Sequence, residues 1–335
     1  MKRVFLILTF VVFIFVIGSI INLYIFVNSP SPMIKEKKRV TIPQGASLKK
    51  ISYILEKEDI VKSWWKFYIY ARYKVAHTSL KAGDYLFKER ITPKEVLDQL
   101  IKGKVEVLTI TLPEGITIRK ITKLLNDKGL ANEKDLLKIA FSSDFLKSLG
   151  IPGKSIEGYL FPDTYCFTRH LPPEVILTNM VENFRKKTKD LPWEKAKDFG
   201  LSRYQIVILA SIIEKETSLK EEMPIISAVF HKRLKKGIRL CSDPTVIYGL
   251  GGFNGNLTKK DLTMPTPYNT YIISGLPPTP ICNPGLNAIE AALNPAKVPY
   301  LYFVSKNNGS HYFSVTLKEH NRAVKLYQRK RKVYR

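Results

Sequence analysis

The stretch SRYQIVILASIIEKET, residues 202–217, has the pattern of a helix that enters a protein core and ends on two carboxylates. With about 100° per residue, Lys215 and Ser211 mark its wettest side. Glu214 and Glu216 flank the apolar face on opposite edges, and Glu216 lies about 40° closer to the most buried direction. A partly buried carboxyl has a raised pKa because desolvation penalises the anion, and this suits a general acid at neutral pH. Two Glu residues in the last turn of a helix are also often simply solvated, so this helix alone leaves both interpretations open.

The chain around this helix, from 151 to 335, has the pattern of one larger mixed α+β domain. Residues 173–186 and 224–236 have helical periodicity. YLYFVSKN and SHYFSV, within 300–315, predict a hairpin, and we expect a last helix from about residue 316.

Between these elements, residues 237–285 are rich in Pro and Gly and have little periodicity. A stretch of this length without regular structure is usually functional or disordered. Its aromatic residues, such as Tyr248 and Tyr268, argue against disorder. We therefore expect an ordered, irregular wall of a substrate cleft beside the apolar helix.

At the other end of the chain, residues 4–27 (VFLILTFVVFIFVIGSIINLYIFV) contain no charge. At about 1.5 Å per residue this run spans the ~30 Å hydrocarbon core of a bilayer. It is longer than the apolar part of a signal peptide, and NSPSPM after it lacks an A-x-A-like cleavage site, so we favour a retained transmembrane helix over a cleaved signal. Residues 28–39 would be a linker. Basic residues stand on both sides, within 1–3 and 35–39, so charge alone leaves the orientation open.

An internal repeat follows the linker. VTIPQGASLKKISYILEKEDIV at 40–61 aligns without gaps with ITLPEGITIRKITKLLNDKGLA at 110–131. Each copy predicts a strand, a P-x-G turn and an amphipathic helix, with Ser47 and Thr117 as the N-cap residues. Two copies are too few for a solenoid, and they indicate two small α+β units in series.

The segment between the two copies completes the first unit. KAGDYLF at 81–87 predicts a strand, and TPKEVLDQLIKGK at 92–104 predicts a helix capped by Thr92 with Glu95 three residues later. The resulting unit, residues 40–104, resembles a LysM-type glycan-binding module. Residues 105–150 would form the second small unit.

Charge and cysteine content exclude several functions. The net charge of +25 favours polyanions such as wall polymers, lipid headgroups or nucleic acid. Zinc-finger, RNP and basic-zipper patterns are absent from the sequence, so we expect no nucleic-acid partner. The three cysteines are far apart and odd in number, which rules out a complete disulfide framework. His231, His311 and His320 have no metal-ligand spacing, and we expect neither a metal nor a cofactor.

Three further stretches carry candidate site residues: SIEGYLFPDTY (155–165), CSDPTVIYG (241–249) and TPYNTYIISGLPPTP (266–280). With ASIIEKET, NPG and NPAKVPYLYFV, they resemble, in order, the MltG (YceG-like) family of endolytic murein transglycosylases. The lower-ranked candidates, for support or substrate binding, are Glu214, Glu157, Tyr159, Asp163, Ser242, Asp243, Thr245, Tyr268, Asn269 and Thr270.

The resemblance implies an enzyme that cuts the MurNAc–GlcNAc β-1,4 bond inside nascent glycan strands and leaves a 1,6-anhydroMurNAc end. It implies Glu216 as the catalytic residue, first acid and then base, and Glu214 as a supporting or structural neighbour. It also implies an N-terminus inside a bacterial cytoplasmic membrane, a catalytic domain outside it, and peptidoglycan synthases as candidate partners. The expected fold class is α+β: one transmembrane helix, LysM-like modules, and a mixed α+β catalytic domain whose helix carries the Glu.

Other interpretations stay open on the residues alone. The same site could belong to a muramidase-type hydrolase, and the glycan-binding units could serve a non-catalytic scaffold for wall synthesis. Glu157 and Asp163 could line the cleft or could fix loops through backbone N–H groups. Tyr268 and Asn269 are candidates for stabilising the charge of the transition state, and Cys241 and Cys282 are interpreted as small apolar fillers.

Overall fold

The computed structural model describes residues 2–31, 36–75, 80–169, 171–252, 255 and 257–328. The chain divides into two units, one made of Met1–Leu108 with Cys166–His170 and the other of Thr109–Tyr165 with Leu171–Arg335. Part of the expected linker 28–39 and the basic run 329–335 lie outside the described residues.

The first unit begins with the apolar helix and continues as a small α+β structure. Its elements are α1 (Lys2–Asn28), β1 (Lys38–Ile42), α2 (Leu48–Lys57), α3 (Trp64–Lys74), β2 (Gly83–Phe87) and α4 (Pro93–Lys102). Of the helices among the described residues, α1 alone is long and apolar enough to cross a membrane.

The core of the first unit lies between a two-stranded sheet and the helices that follow its strands. β1 and β2 pair antiparallel, with Val40 opposite Tyr85. Because side chains alternate along a strand, Val40 and Ile42 face the core with Leu55 of α2 and Phe67 of α3. The capping box of Thr92 and Glu95 that the sequence predicts is present at the start of α4. The observed order is strand, helix, helix, strand, helix, so α3 is added to the elements that the sequence predicts. Glycan binding by this unit stays a prediction.

The second unit holds all the acidic site candidates. The division between the units falls within two short strands, β3 (Val107–Thr111) and β4 (Thr164–Thr168). The other elements of the second unit are α5 (Ile118–Asp127), α6 (Glu133–Ala140), α7 (Ser143–Ser148), α8 (Pro173–Thr188), a 3₁₀ segment (Trp193–Phe199), α9 (Arg203–Glu216), α10 (Met223–Lys235), α11 (Asp243–Leu250), α12 (Lys259–Leu262), α13 (Leu286–Leu293), β5 (Tyr302–Ser305), β6 (His311–Ser314) and α14 (Leu317–Tyr327). From Thr109 onward, the expected small unit 105–150 groups with the larger domain. β5 and β6 form the predicted hairpin.

Helix α9 is the centre of this unit, and it is buried on every side rather than on one face. All residues from Ile206 to Ile213 are buried. The sequence placed Ser211 on the wettest side, and this was wrong. Its hydroxyl donates to the Ile208 carbonyl at 2.7 Å and accepts from the Ile281 N–H at 3.0 Å. The irregular segment before α13 therefore covers that face, and it supplies the polar partner a buried hydroxyl requires.

The second copy of the repeat differs from the first at its cap. Ser47 accepts a hydrogen bond from the Lys50 N–H, as an N-cap residue does. Thr117 has the extended backbone of an N-cap, but its side chain caps nothing among the described residues. Instead the Glu157 carboxylate accepts from the Ile118 N–H at 2.9 Å. A carboxyl group from a distant loop thus takes over the cap of α5 by accepting from its first N–H.

Candidate active site

Helix α9 ends at the mouth of a cavity, and Glu216 is its last residue. The helix starts with a capping box between Ser202 and Gln205 and stops where Thr217 turns to an extended backbone. The cavity measures about 450 Å³ and is lined by α9, α10, α11, the hairpin and α14. Its polar and aromatic lining includes Glu216, Arg233, Arg239, Asp243, Tyr271, Tyr302, His311 and His320.

The Glu216 carboxyl is held in a partly buried position by one close donor. The Ser242 hydroxyl donates to Oε1 of Glu216. Burial raises the pKa of Glu216 to about 7, because the anion loses its hydration, and the Ser242 hydrogen bond opposes this shift. The charge of Asp243 raises the pKa further, and that of Arg233 lowers it. Near neutral pH this carboxyl can therefore both donate and accept a proton.

Ser242 is itself fixed by two of the predicted residues. The Ser242 N–H donates to Thr270 Oγ1 at 2.9 Å, and Thr245 Oγ1 donates to the Ser242 carbonyl at 2.7 Å. The two threonine hydroxyls lie 2.8 Å apart, and both residues are fully buried. Thr245 and Thr270 thus fix Ser242, which donates to the Glu216 carboxyl, and neither threonine is among the residues that line the cavity.

Asp243 is the second carboxylate in the cavity. It is exposed, and the Tyr271 hydroxyl donates to its Oδ1 at 2.6 Å. The Arg239 guanidinium donates to the Tyr271 carbonyl at 2.9 Å. This chain of contacts orders the cavity wall opposite the hairpin residues.

Tyr268 and Asn269 take structural positions beside the cavity. The Asn269 amide donates to the carbonyls of Leu262 and Met264 at 3.1 and 2.8 Å. The Tyr268 hydroxyl lies 2.8 Å from Thr279 Oγ1. Neither side chain lines the Glu216 cavity, so the structure gives them no contact with the carboxyl.

Glu214 points to a different part of the unit. Its Oε2 accepts from the Gly285 N–H at 2.9 Å, at the N-cap of α13. A Cβ at Gly285 would lie 1.9 Å from Glu114 Oε1, so a larger residue there would displace the exposed Glu114 side chain. Burial raises the pKa of Glu214, the Gly285 hydrogen bond lowers it, and the charge of Glu114 raises it again. Glu214 thus fastens α9 to α13.

Glu157 is fully buried and is surrounded by donors from its own chain. The Ile118 N–H and Asn283 Nδ2 donate to its Oε1 at 2.9 and 2.8 Å, and the Tyr248 hydroxyl donates to its Oε2 at 3.1 Å. The Asn283 amide oxygen accepts from the N–H groups of Gly158 and Leu160. Burial raises the pKa of Glu157 to about 8, against the lowering effect of these donors. We call this set of contacts the Glu157 network.

Asp163 and Tyr159 make local contacts within the second unit. Asp163 accepts from the Thr164 N–H at 2.8 Å and from Asn183 Nδ2 at 3.0 Å, and it pairs with Lys187 at 2.9 Å. The Asn183 hydrogen bond, with those of Lys187 and Thr164, lowers the pKa of Asp163 to about 2. Tyr159 packs against Phe184 and stacks on Tyr204 with ring centres 5.0 and 6.5 Å away. Neither residue lines the Glu216 cavity.

Several cavity residues had no signal in the sequence. Arg233 is buried in α10, where its guanidinium donates to the carbonyls of Leu301 and Leu240 at 2.8 and 2.7 Å. His311 is held by Glu222, which accepts from its N–H at 2.9 Å and lies 2.6 Å from its Nδ1. The contacts of Arg233 with Leu301 and of His311 with Glu222 join residues far apart in the chain, so no local spacing predicts them.

The three cysteines are free thiols. Cys282 is buried, and its Sγ donates to the Ser211 carbonyl at 3.2 Å, so the filler interpretation fits it. Cys241 is exposed and lines the cavity, so that interpretation was wrong for it. Its backbone has a φ of 50°, a region that non-glycine residues seldom adopt.

A mixed α+β unit that sets one carboxyl of raised pKa in a polar, aromatic cavity is the arrangement of an acid–base enzyme. Residues 40–326 match the YceG-like family, and the chain belongs to it. An endolytic murein transglycosylase of Bacillus subtilis is 34% identical over 317 residues, which cover 88% of this chain and 87% of that protein. A protein of the same name from Streptococcus pneumoniae is 31% identical, and the match covers 86% of this chain but 58% of that longer protein.

A solved structure has a similar fold. The crystal structure of a yceG-like protein from Listeria monocytogenes superposes with a TM-score of 0.60 at 34% identity. The superposition covers 86% of this chain and 99% of the Listeria chain.

Proposed function

We propose that this chain is a membrane-anchored endolytic murein transglycosylase, a lyase that cuts the β-1,4 bond between MurNAc and GlcNAc with Glu216 as its acid and base. The observation that carries the proposal is the environment of Glu216. This carboxyl has a pKa of about 7, one ordered donor and an open side towards a cavity of about 450 Å³. The names of the relatives supply the substrate class.

The reaction needs only one carboxyl if that carboxyl first donates a proton and later accepts one. Protonated Glu216 donates to the glycosidic oxygen as the bond from that oxygen to C1 of MurNAc breaks, and GlcNAc leaves with the proton on its 4-hydroxyl. The C6 hydroxyl of MurNAc then attacks C1 and forms the 1,6-anhydro ring. Its proton goes to the Glu216 carboxylate, which restores the starting state, and no water is consumed.

Asp243 and Tyr271 are the groups we propose for the charge that develops on the sugar ring. The Asp243 carboxylate lies in the same cavity and contributes to the raised pKa of Glu216. An anion there stabilises an oxocarbenium-like transition state, and the Tyr271 hydroxyl fixes its position. Tyr268 and Asn269 then act by shaping the loop.

Asp243 also favours the second candidate function, a muramidase. Ordinary glycosidases use two carboxylates that flank the scissile bond, and this cavity contains two, Glu216 and Asp243. In that reaction a water molecule attacks C1 and the product has a reducing end.

Mass spectrometry of the products from purified sacculi separates the two functions. We expect 1,6-anhydroMurNAc ends, which are one water lighter than hydrolysed ends. Products with reducing ends only would overturn the transglycosylase and establish the hydrolase. Binding of the wild-type protein to sacculi without any cleavage would instead support a scaffold.

The substrate implies a membrane orientation. Murein lies outside the cytoplasmic membrane, so we propose that α1 anchors the chain with its N-terminus inside and the second unit outside. Cys241 is an exposed free thiol in that unit. A thiol reagent that cannot cross membranes should label it in intact protoplasts, and labelling only after lysis would contradict the orientation.

A further inference from the structure

Helix α3 of the first unit exposes a row of large apolar side chains along one face. Trp65, Ile69 and Tyr73 are spaced four residues apart and are 50%, 47% and 84% exposed. The opposite face of the helix is packed, since Phe67 and Ala71 are fully buried. A row of this kind is a contact surface for something outside the unit.

The row continues into the apolar helix α1. A groove of about 700 Å³ lies between the two helices, with Phe15, Ser19 and Leu23 on one wall and Trp65 and Ile69 on the other. The Lys66 amine reaches across the groove and donates to Asn22 Oδ1 at 2.6 Å. The groove therefore includes part of α1 itself.

The length of α1 sets the level of this groove in a bilayer. The apolar part, Phe5–Asn28, has 24 residues. It is about 36 Å long, and the hydrocarbon core is ~30 Å thick, so its last turn reaches the headgroups. Asn22 lies about 9 Å before the end of the helix, which in a centred helix is about 6 Å inside the boundary between acyl chains and headgroups, within reach of a long side chain. Lys66 and Trp65 lie at the same level, and these are residue types that prefer this boundary.

The charge of α3 fits an anionic surface. The helix carries Lys66, Arg72 and Lys74 and contains no Asp or Glu. Basic residues close to an anionic leaflet are attracted to it, and this attraction is strongest within a Debye length of the surface.

We propose that α3 lies in the interface of an anionic phospholipid bilayer, so that the first unit is docked on the membrane surface beside α1 and lipid fills the groove. A glycan strand is the other candidate occupant of an aromatic row. A glycan strand fits poorly here, because α1 forms one wall of the groove and we propose that α1 lies in the hydrocarbon core of the membrane. The proposal is independent of the chemistry at Glu216, and it would survive a failure of the proposed activity.

Depth-dependent quenching of tryptophan fluorescence tests it. The full chain is placed in phosphatidylglycerol nanodiscs whose lipids are brominated on acyl carbons close to the glycerol. The chain has three tryptophans. Trp193 is buried in the second unit. Trp64 is not among the residues that line the groove, and the centre of its ring lies 5.8 Å from the Lys49 amine. We expect only Trp65 to be quenched.

The matched pair of variants is Trp65→Phe and Trp64→Phe. Trp65→Phe should abolish the quenching, and Trp64→Phe should keep it in full. Quenching that is absent in the wild type, or unchanged in Trp65→Phe, would overturn the proposal. So would a response of Trp65 emission to soluble glycan fragments in detergent together with no quenching by brominated lipid.

Discussion

Two carboxyls in the second unit, Glu216 and Glu157, share a raised pKa and differ in everything around them. The pKa of Glu216 is about 7 and that of Glu157 about 8, and burial is the main cause of both shifts. Glu216 has one hydroxyl donor and faces a cavity. Glu157 is enclosed by donors from α5, α11 and the segment before α13.

From this difference we infer that a raised pKa marks a candidate catalytic acid only where the carboxyl also has an open side. In the Glu157 network every oxygen has a partner from the chain, so no substrate atom can take a proton from it. At Glu216, Oε1 accepts from Ser242, Oε2 has no hydrogen-bond partner among the described residues, and the side chain lines the cavity. Replacement by Gln keeps the shape of both side chains and removes the proton, so the same change should have opposite results at the two sites.

The largest effect is expected for Glu216→Gln. An amide cannot donate a proton to the glycosidic oxygen or accept one from the C6 hydroxyl, so release of anhydro-muropeptides should fall by about 1,000-fold or more. Glu214→Gln is the control on the same helix, and it should keep activity within about threefold, because one amide oxygen can still accept from the Gly285 N–H. Loss of activity in Glu214→Gln with full activity in Glu216→Gln would reverse the assignment.

A thermal-unfolding measurement on Glu216→Gln separates loss of the proton from loss of the fold. The folded-state pKa of Glu216 is about 7 against an ordinary value of 4.5, so the folded protein loses stability as pH rises between these values. The Gln variant has no such loss. At pH 8 it should be at least as stable as the wild type in thermal unfolding, and the advantage should fade as pH falls towards 4.5.

A smaller effect is expected for Ser242→Ala. The Ser242 hydroxyl stabilises the Glu216 anion, so its removal raises the pKa of Glu216 further. The fall of kcat/KM at high pH should move upward by about one pH unit. Ser211→Ala is the control, since that hydroxyl lies on α9 and contacts Ile208 and Ile281 instead. If kcat/KM of Ser242→Ala falls at the same high pH as that of the wild type, Glu216 is not the group whose ionisation causes the fall.

The sequence was informative about this site where the signal is local. The capping box of Ser202 and Gln205 and the apolar run after it define α9 from its own residues. The P-x-G turns of the repeat are equally local, and Gly45 and Gly115 adopt the same φ of 72°. Such features depend on neighbours in the chain, so a pattern can reveal them.

Contacts between distant segments could not be predicted in this way. Ser211 had the position of a solvent-facing residue on a helical wheel, and a segment 70 residues later covers it. Asn269 is a polar residue in a candidate site motif, but its amide donates hydrogen bonds to loop carbonyls instead. Arg233 and His311 reach the cavity through contacts to residues 68 and 89 positions away. Only the folded chain brings these groups together.

The smallest effect on activity is expected for Glu157→Gln, and it tests the comparison most directly. One amide oxygen can accept from Ile118 and Asn283, and the amide nitrogen can donate to the Tyr248 hydroxyl, which is also an acceptor. Activity should therefore stay within about twofold of the wild type, with little change in Tm. Glu157→Leu is the contrasting variant, because it leaves the three donors without an acceptor. It should lower the free energy of unfolding by about 3 kcal/mol and the apparent Tm by about 10 °C. If Glu157→Gln instead lost activity as Glu216→Gln does while remaining folded, an open side would not be the property that separates the acid from the structural carboxyl.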